Sequence, residues 1–201
     1  MNVRRRACAA SASVVLAVAA LAGCGASGTS AAAGPNPPPP PAPAESNPPG
    51  DIPDNQVYVV FKPATGGFTV SVPEGWSRTS TGPVTAFTDK LNRIEVSEHA
   101  AATAPTTASV TARDVPELAK AVPGFTPGKA SEVSRKAGRA VLYTYQGTTR
   151  ADPVTGKTVR DAFERYVFHH NGRDVVLILS GPVKADNVDP WRTVTDSLRW
   201  Q

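Results

Sequence analysis

From residue 57 onward the chain reads mostly as alternating strands. Phe68-Thr69-Val70-Ser71-Val72 alternates apolar and polar residues with period two, placing Phe68, Val70 and Val72 on one face. Gly66-Gly67 before it and Pro73-Glu74-Gly75 after it are turn punctuation. Trp76 follows and is expected to plug an end of the core. Residues 84–88 and 93–98 read as two more strands with their turn at 89–92. Residues 139–148, 158–170 and 174–180 read as three long ones, the first carrying Val141, Tyr143 and Tyr145 on one face. Asn171-Gly172 is a two-residue hairpin signal, because both residue types tolerate positive φ. Val175-Val176-Leu177-Ile178-Leu179 is apolar without interruption, so this strand is expected to be central and buried on both faces.

Two stretches switch to helical spacing. Residues 100–109, rich in Ala, Thr and Ser, read as a loop; then Val115, Leu118, Ala119 and Val122 recur at i, i+3, i+4 and i+7. Pro116 suits a first turn and Pro123-Gly124 a stop. Near the end, Asp189 is the expected N-cap, Pro190 the first helical residue, and Trp191, Val194 and Leu198 the docking face. A sheet buried on both faces needs helices on both sides. The expected class is therefore α+β, an antiparallel β-sheet flanked by helices on both faces, in one domain spanning residues 57–201.

The N-terminal pattern differs. Arg4-Arg5-Arg6 precede an apolar stretch from Ala7 to Leu21, and Leu21-Ala22-Gly23-Cys24 closes it. This is too short to span a bilayer, which takes about 20 apolar residues, and reads as an export signal over residues 1–23. Ala7-Cys8-Ala9 fits a twin-arginine signal poorly, which favours general secretion. Leu21-Ala22-Gly23-Cys24 resembles the lipobox of bacterial lipoproteins. That resemblance implies a diacylglyceryl group on the Cys24 sulfur and cleavage just before Cys24. Two acyl chains hold stably where one binds reversibly. Residues 24–56 then read as a stalk. Gly, Ala, Ser and Thr fill residues 25–34, and ten of the chain's 20 prolines fall between Pro35 and Pro53. With few large apolar residues such a segment cannot offset its ordering entropy.

Composition sharpens this in two ways. Removing Arg4, Arg5 and Arg6 takes the 21 basic residues to 18 against 17 acidic ones, so the formal charge falls from +4 to +1. No basic cluster with interleaved aromatics follows, so nucleic acid is not an expected partner. The chain has two cysteines. Cys8 leaves with the signal and Cys24 takes the lipid, so no disulfide or thiol site remains.

Candidate chemistry is sparse. Residues 151–158, Ala-Asp-Pro-Val-Thr-Gly-Lys-Thr, loosely fit a P-loop, but they lie between two expected strands and Pro153 lacks an N–H donor. His169 and His170 point to opposite strand faces and cannot readily chelate one ion; they read as flanking the Asn171-Gly172 turn in solvent, His99 lacks any ligand spacing, and no metal is expected. Glu95, Glu98, Asp161 and Glu164 sit on expected strands and could face a cleft as paired carboxylates. The expected reading is surface charge paired with Arg93, Arg160 and Arg165. There is no G-x-S-x-G, and Ser180-Gly181-Pro182 reads as a strand ending in a turn. Tyr143, Tyr145, Tyr166 and Phe168 read as core.

The segment Phe68-Thr69-Val70-Ser71-Val72-Pro73-Glu74-Gly75-Trp76, together with the closing run from Asp189 to Trp200, resembles the Mog1/PsbP-like superfamily, with actinobacterial LpqN-like lipoproteins nearest. The resemblance covers residues 57–201. It implies an antiparallel sheet between helices and a non-catalytic binding or assembly role, and carries no site residues over. The functional expectation is a monomeric lipoprotein held to the membrane by Cys24, without catalytic residues or cofactor, binding an envelope protein, glycan or lipid. A carboxylate hydrolase and a small-ligand carrier are the alternatives.

Overall fold

The computed structural model describes residues 49–64, 66–149 and 156–201. Its main element is a seven-stranded antiparallel sheet. In chain order the ten strands are β1 (Tyr58–Phe61), β2 (Phe68–Pro73), β3 (Ser77–Thr81), β4 (Val84–Asp89), β5 (Asn92–Ala100), β6 (Thr126–Arg135), β7 (Gly138–Thr148), β8 (Arg160–His170), β9 (Arg173–Pro182) and β10 (Arg199–Trp200). The large sheet runs β3-β4-β5-β9-β8-β7-β6, and β1-β2-β10 form a separate small sheet. The uninterrupted apolar strand β9 is central, between β5 and β8. Asn171 (φ 46°) and Gly172 (φ 75°) make the hairpin that brings β8 onto it.

The two faces of β9 belong to two cores. Val175, Leu177 and Leu179 join Phe68, Val70 and Val72 of β2 and Trp191, Val194 and Leu198. Trp191 and Val194 lie on α3 (Val188–Ser197), and Leu198 follows it. Val176 joins Val110, Val141, Tyr143, Tyr145 and Val167, with Val115, Leu118 and Val122 packed against them. The second cover is one continuous helical run: α1 (Thr107–Ser109), a π-helical turn over Val110–Asp114, and α2 (Val115–Ala121). Helices thus flank both faces, and the small sheet adds to the cover on the α3 side.

The run begins with a capping box. Thr106 Oγ1 accepts from Ser109 N–H at 3.1 Å and Ser109 Oγ accepts from Thr106 N–H at 2.9 Å. The π turn has a cause in the sequence. Val110, Val115, Leu118 and Val122 are spaced by five, three and four residues, and all four face the sheet. A five-residue step keeps one face only if the backbone widens, and Val115 N–H does bond back to Val110 O, five residues earlier.

Several expectations need correction. Residues 107–109 are helical and not loop. Ala119 is exposed, because the widened turn rotates the stripe onto Val110 and Val115. Strands β1, β3 and β6 have no counterpart in the sequence reading. All of β3 is exposed, and β6 carries Pro127 and a register shift between Pro127 and Ala130. These two are the edges of the large sheet, where polar residues, proline and bulges block further pairing. β9 continues through Ser180 to Pro182, so Ser180-Gly181-Pro182 is strand and not turn. α3 starts at Val188, one residue before the expected cap Asp189.

Asn187, which precedes α3, is buried and serves another purpose. Its Oδ1 accepts from Ile52 N–H at 2.9 Å, and its Nδ2 donates to Gly50 O and Asn92 Oδ1, both at 3.0 Å. Asn92 Nδ2 also donates to Gly50 O, at 2.8 Å. Ile52 lies in the core, so packing against the domain reaches back to Gly50. Gly50 adopts φ +98°, and a side chain there would strike Pro182. Among the described residues no helix is long and apolar enough to cross a membrane.

Candidate functional site

On the α1–α2 side of the large sheet a cleft of about 310 Å³ opens where the helical run leaves the strands uncovered. Its walls are His99 at the end of β5, Asp174 and Val176 on β9, Arg165 on β8, Arg113 and Asp114 on the π turn, and residues 100–103. Cross-strand register sets His99 opposite Asp174 and His169 opposite Asp174 from the other side, so three chemically active residues meet at one level of the sheet. The π turn supplies the other wall. Placed there, Asp114 stands between two guanidinium groups: Arg113 Nε donates to its Oδ1 at 2.7 Å, and Arg165 Nη1 lies 2.9 Å from its Oδ2.

The surroundings of these charges differ. The Arg113 side chain is 66 % exposed, whereas Arg165 and Asp114 are 13 % and 11 % exposed. The hydrogen bond from Arg113 to Asp114 raises the Arg113 pKa, helped by the carboxylate's charge. Burial lowers that of Arg165, and Asp114 works against the shift. Asp174 is buried, and its Oδ1 lies 2.7 Å from His169 Nδ1. A carboxylate oxygen accepts, so the imidazole donates to it through Nδ1. Nearby, Tyr145 stacks on Phe163 at 4.6 Å, and burial pushes its hydroxyl well above the usual tyrosine range.

Of the residues the sequence singled out, the structure gathers some and separates others. His99 and His169 both reach the Asp174 level of the sheet. His169 is half-buried and paired to Asp174, not solvent-facing, because the hairpin returns Asp174 beside it. His170 is exposed and stacks on Trp200 at 5.1 Å. Among the described residues no group of three metal-ligating side chains is arranged to hold an ion. The carboxylates divide between faces. Glu95 alternates onto the cleft side, as does Asp161, while Glu98 and Glu164 face the α3 side. Arg93 pairs with Glu95 at 2.6 Å, as expected. Arg165 pairs with Asp114, and Glu98 pairs with Arg173 at 2.9 Å. Arg160 instead donates to Gly124 O at 2.7 Å.

Asp161 is buried, its Oδ1 has no hydrogen-bond partner among the described residues, and burial raises its pKa to about 6. Glu164 accepts from the Tyr166 hydroxyl at 2.7 Å, which in turn accepts from Arg135 Nη2 at 2.9 Å. Residues 151–155 of the loose P-loop and all of residues 1–48, Cys24 included, lie outside the described residues. The segment joins β7 to β8, which pair antiparallel, a hairpin and not the strand-to-helix step that phosphate binding needs.

Beside the cleft, Ser97 Oγ lies 3.0 Å from His99 Nε2, a contact of the kind that pairs a nucleophile with a base. A hydrolytic triad would need a carboxylate on the far ring nitrogen. Asp174 is the carboxylate opposite His99, and its short contact is with His169. The arrangement suits holding a polar group better than attacking one. Sequence reasoning missed Arg113, Asp114 and Asp174. The five-residue step from Val110 to Val115 is the one signal that could have exposed the turn that brings the first two to the sheet.

No protein-family model matches the chain, and no curated protein matches it in sequence. Solved structures do. Cyanobacterial PsbP (CyanoP) from Synechocystis sp. PCC 6803 superposes with a TM-score of 0.51 at 14% identity, over 76% of this chain and 98% of that one. The fold is like that of PsbP. Looser overlaps occur with the Ran-binding protein Mog1p of Saccharomyces cerevisiae (TM-score 0.43, 13% identity, 64% of this chain and 79% of that one). They occur also with LpqN, involved in cell envelope biogenesis of Mycobacterium tuberculosis (0.40, 17%, 72% and 91%). At these identities the likeness speaks to architecture alone.

Proposed function

We propose that this chain is a lipoprotein held on the outer face of a membrane through Cys24, and that its domain is a non-catalytic module binding an envelope component at the polar cleft. The observation that carries the anchoring is Leu21-Ala22-Gly23-Cys24 at the end of a basic-then-apolar N-terminus. The same reading makes residues 1–23 a signal and the proline-rich segment after Cys24 a spacer, which ends where Gly50 is clamped. Binding is favoured over hydrolysis because the two carboxylates that share the cleft face, Glu95 and Asp161, stand level with Ile178 and Pro182, four residues apart along β9 and on strands either side of it, and because Asp174 is engaged by His169. A carrier of apolar ligands is disfavoured by the charged walls of the cleft.

Metabolic labelling with a fatty acid tests the anchor. Label should enter the protein, and Cys24→Ala should abolish it while leaving the domain folded. Label persisting in Cys24→Ala would overturn the reading.

A further inference from the structure

We infer that the cleft captures the C-terminal carboxylate of a short peptide. The inference rests on reading the cleft as the domain's working site. Asp114 faces two guanidinium groups, so one carboxylate is shared by two cations, with Asp174 the other carboxylate that acts on Arg113. Arg165 is mostly buried; its Nη1 is taken up by Asp114 Oδ2 at 2.9 Å, while its Nε and Nη2 make no hydrogen bond among the described residues. A buried guanidinium with unused N–H groups is costly unless an anion completes it, and a carboxylate matches its fork. Arg113 adds exposed N–H groups beside it, since the Nε contact to Asp114 uses only one of its five donors.

The opposite wall argues for more than a bare anion. Asp174 is an acceptor held by the His169 imidazole, with the Arg113 charge within electrostatic reach. A free phosphate or sulfate would meet its repulsion. A peptide end carries both signs of polarity within a few bonds: the terminal carboxylate suits Arg113 and Arg165, and the last amide N–H suits Asp174. Val176 and the alanines at 100–102 give the cleft an apolar stretch for side chains. The cleft volume of about 310 Å³ is at the low end for ligand sites and fits a dipeptide-sized fragment.

The test uses the ¹⁵N-labelled full chain in detergent, titrated with acetyl-Ala-Ala, with its C-terminal amide, and with inorganic phosphate. Amide shifts should move at residues 100–103 and 113–114 with the free acid. Binding should weaken about tenfold or more with the amide, for phosphate, and in Arg113→Gln, an exposed position that should not affect folding. Lys184→Gln, near the other end of β9, should bind normally. Equal binding of acid and amide, preference for phosphate, shifts confined elsewhere, or no shift with the acid would each overturn the inference. Fatty-acid labelling at Cys24 is read independently, so failure here leaves the anchoring proposal standing.

Discussion

The ion pair between Asp114 and Arg165 ties the helical run to the sheet, and its removal has a calculable signature. Asp114→Ala strips the anion from a guanidinium whose side chain is only 13 % exposed. Breaking one side of a buried pair costs about 3–5 kcal/mol, because the remaining charge stays desolvated. Arg113 adds little to this loss, since its side chain is 66 % exposed and returns to water. Arg165→Met should cost less, about 1–3 kcal/mol, because Asp114 keeps its 2.7 Å hydrogen bond from Arg113. The double variant should then be more stable than Asp114→Ala alone, by about 2 kcal/mol, as the uncompensated cation is gone. Urea unfolding followed by tryptophan fluorescence measures all four proteins. At about 2–4 °C per kcal/mol for a domain of this size, Asp114→Ala should also lower Tm by roughly 10 °C. Raising salt should change the pattern little, because buried pairs are poorly screened. If the double variant is no more stable than Asp114→Ala, the pair is not acting as a buried ion pair and the reasoning fails.

Two further outcomes follow from other residues. Burial raises the Asp161 pKa from 3.8 to about 6 in the folded protein, so folding favours its protonated form. That contribution is fully present below about pH 3.8 and is lost as pH rises through about 6; Asp161→Asn should therefore gain up to about 3 kcal/mol over the native protein above pH 7, and the gap should close in acid. A difference that stays constant from pH 4 to pH 8 in urea midpoints would contradict this. Asn187→Ala removes two buried hydrogen bonds and one part-buried one at the domain's entry and leaves the Ile52 N–H unpaired, a loss of about 2–4 kcal/mol. It should also speed hydrogen exchange at Ile52 ahead of β9, and exchange unchanged at Ile52 would refute the clamp.

What could be read from the sequence was what repeats along it. The five-residue apolar run of β9, the Asn171-Gly172 turn and the spacing of Trp191, Val194 and Leu198 each state their own environment, and each is where expected. β3 and β6 were illegible because an edge strand owes its polar sequence to what it must avoid. The cap of α3 was misplaced because the residue before the helix, Asn187, turns its side chain toward Gly50 and Ile52 instead of the helix end. The cleft was out of reach for another reason. Arg113, Asp114, Arg165 and Asp174 come from three separate elements, and only the pairing of β5, β8 and β9 under a widened helical turn brings them together.

The clamp at Gly50 has a mechanical consequence. It grips the first residue of β5, while the cleft lies at that strand's far end, seven residues or roughly 24 Å away. A load entering the domain at residue 50 meets the Asn92 and Asn187 side chains first. Those few amide contacts yield long before the paired strands beneath them, so they work as a fuse. Tension can peel away the entry segment and leave the far pole of the sheet with its charges still in register.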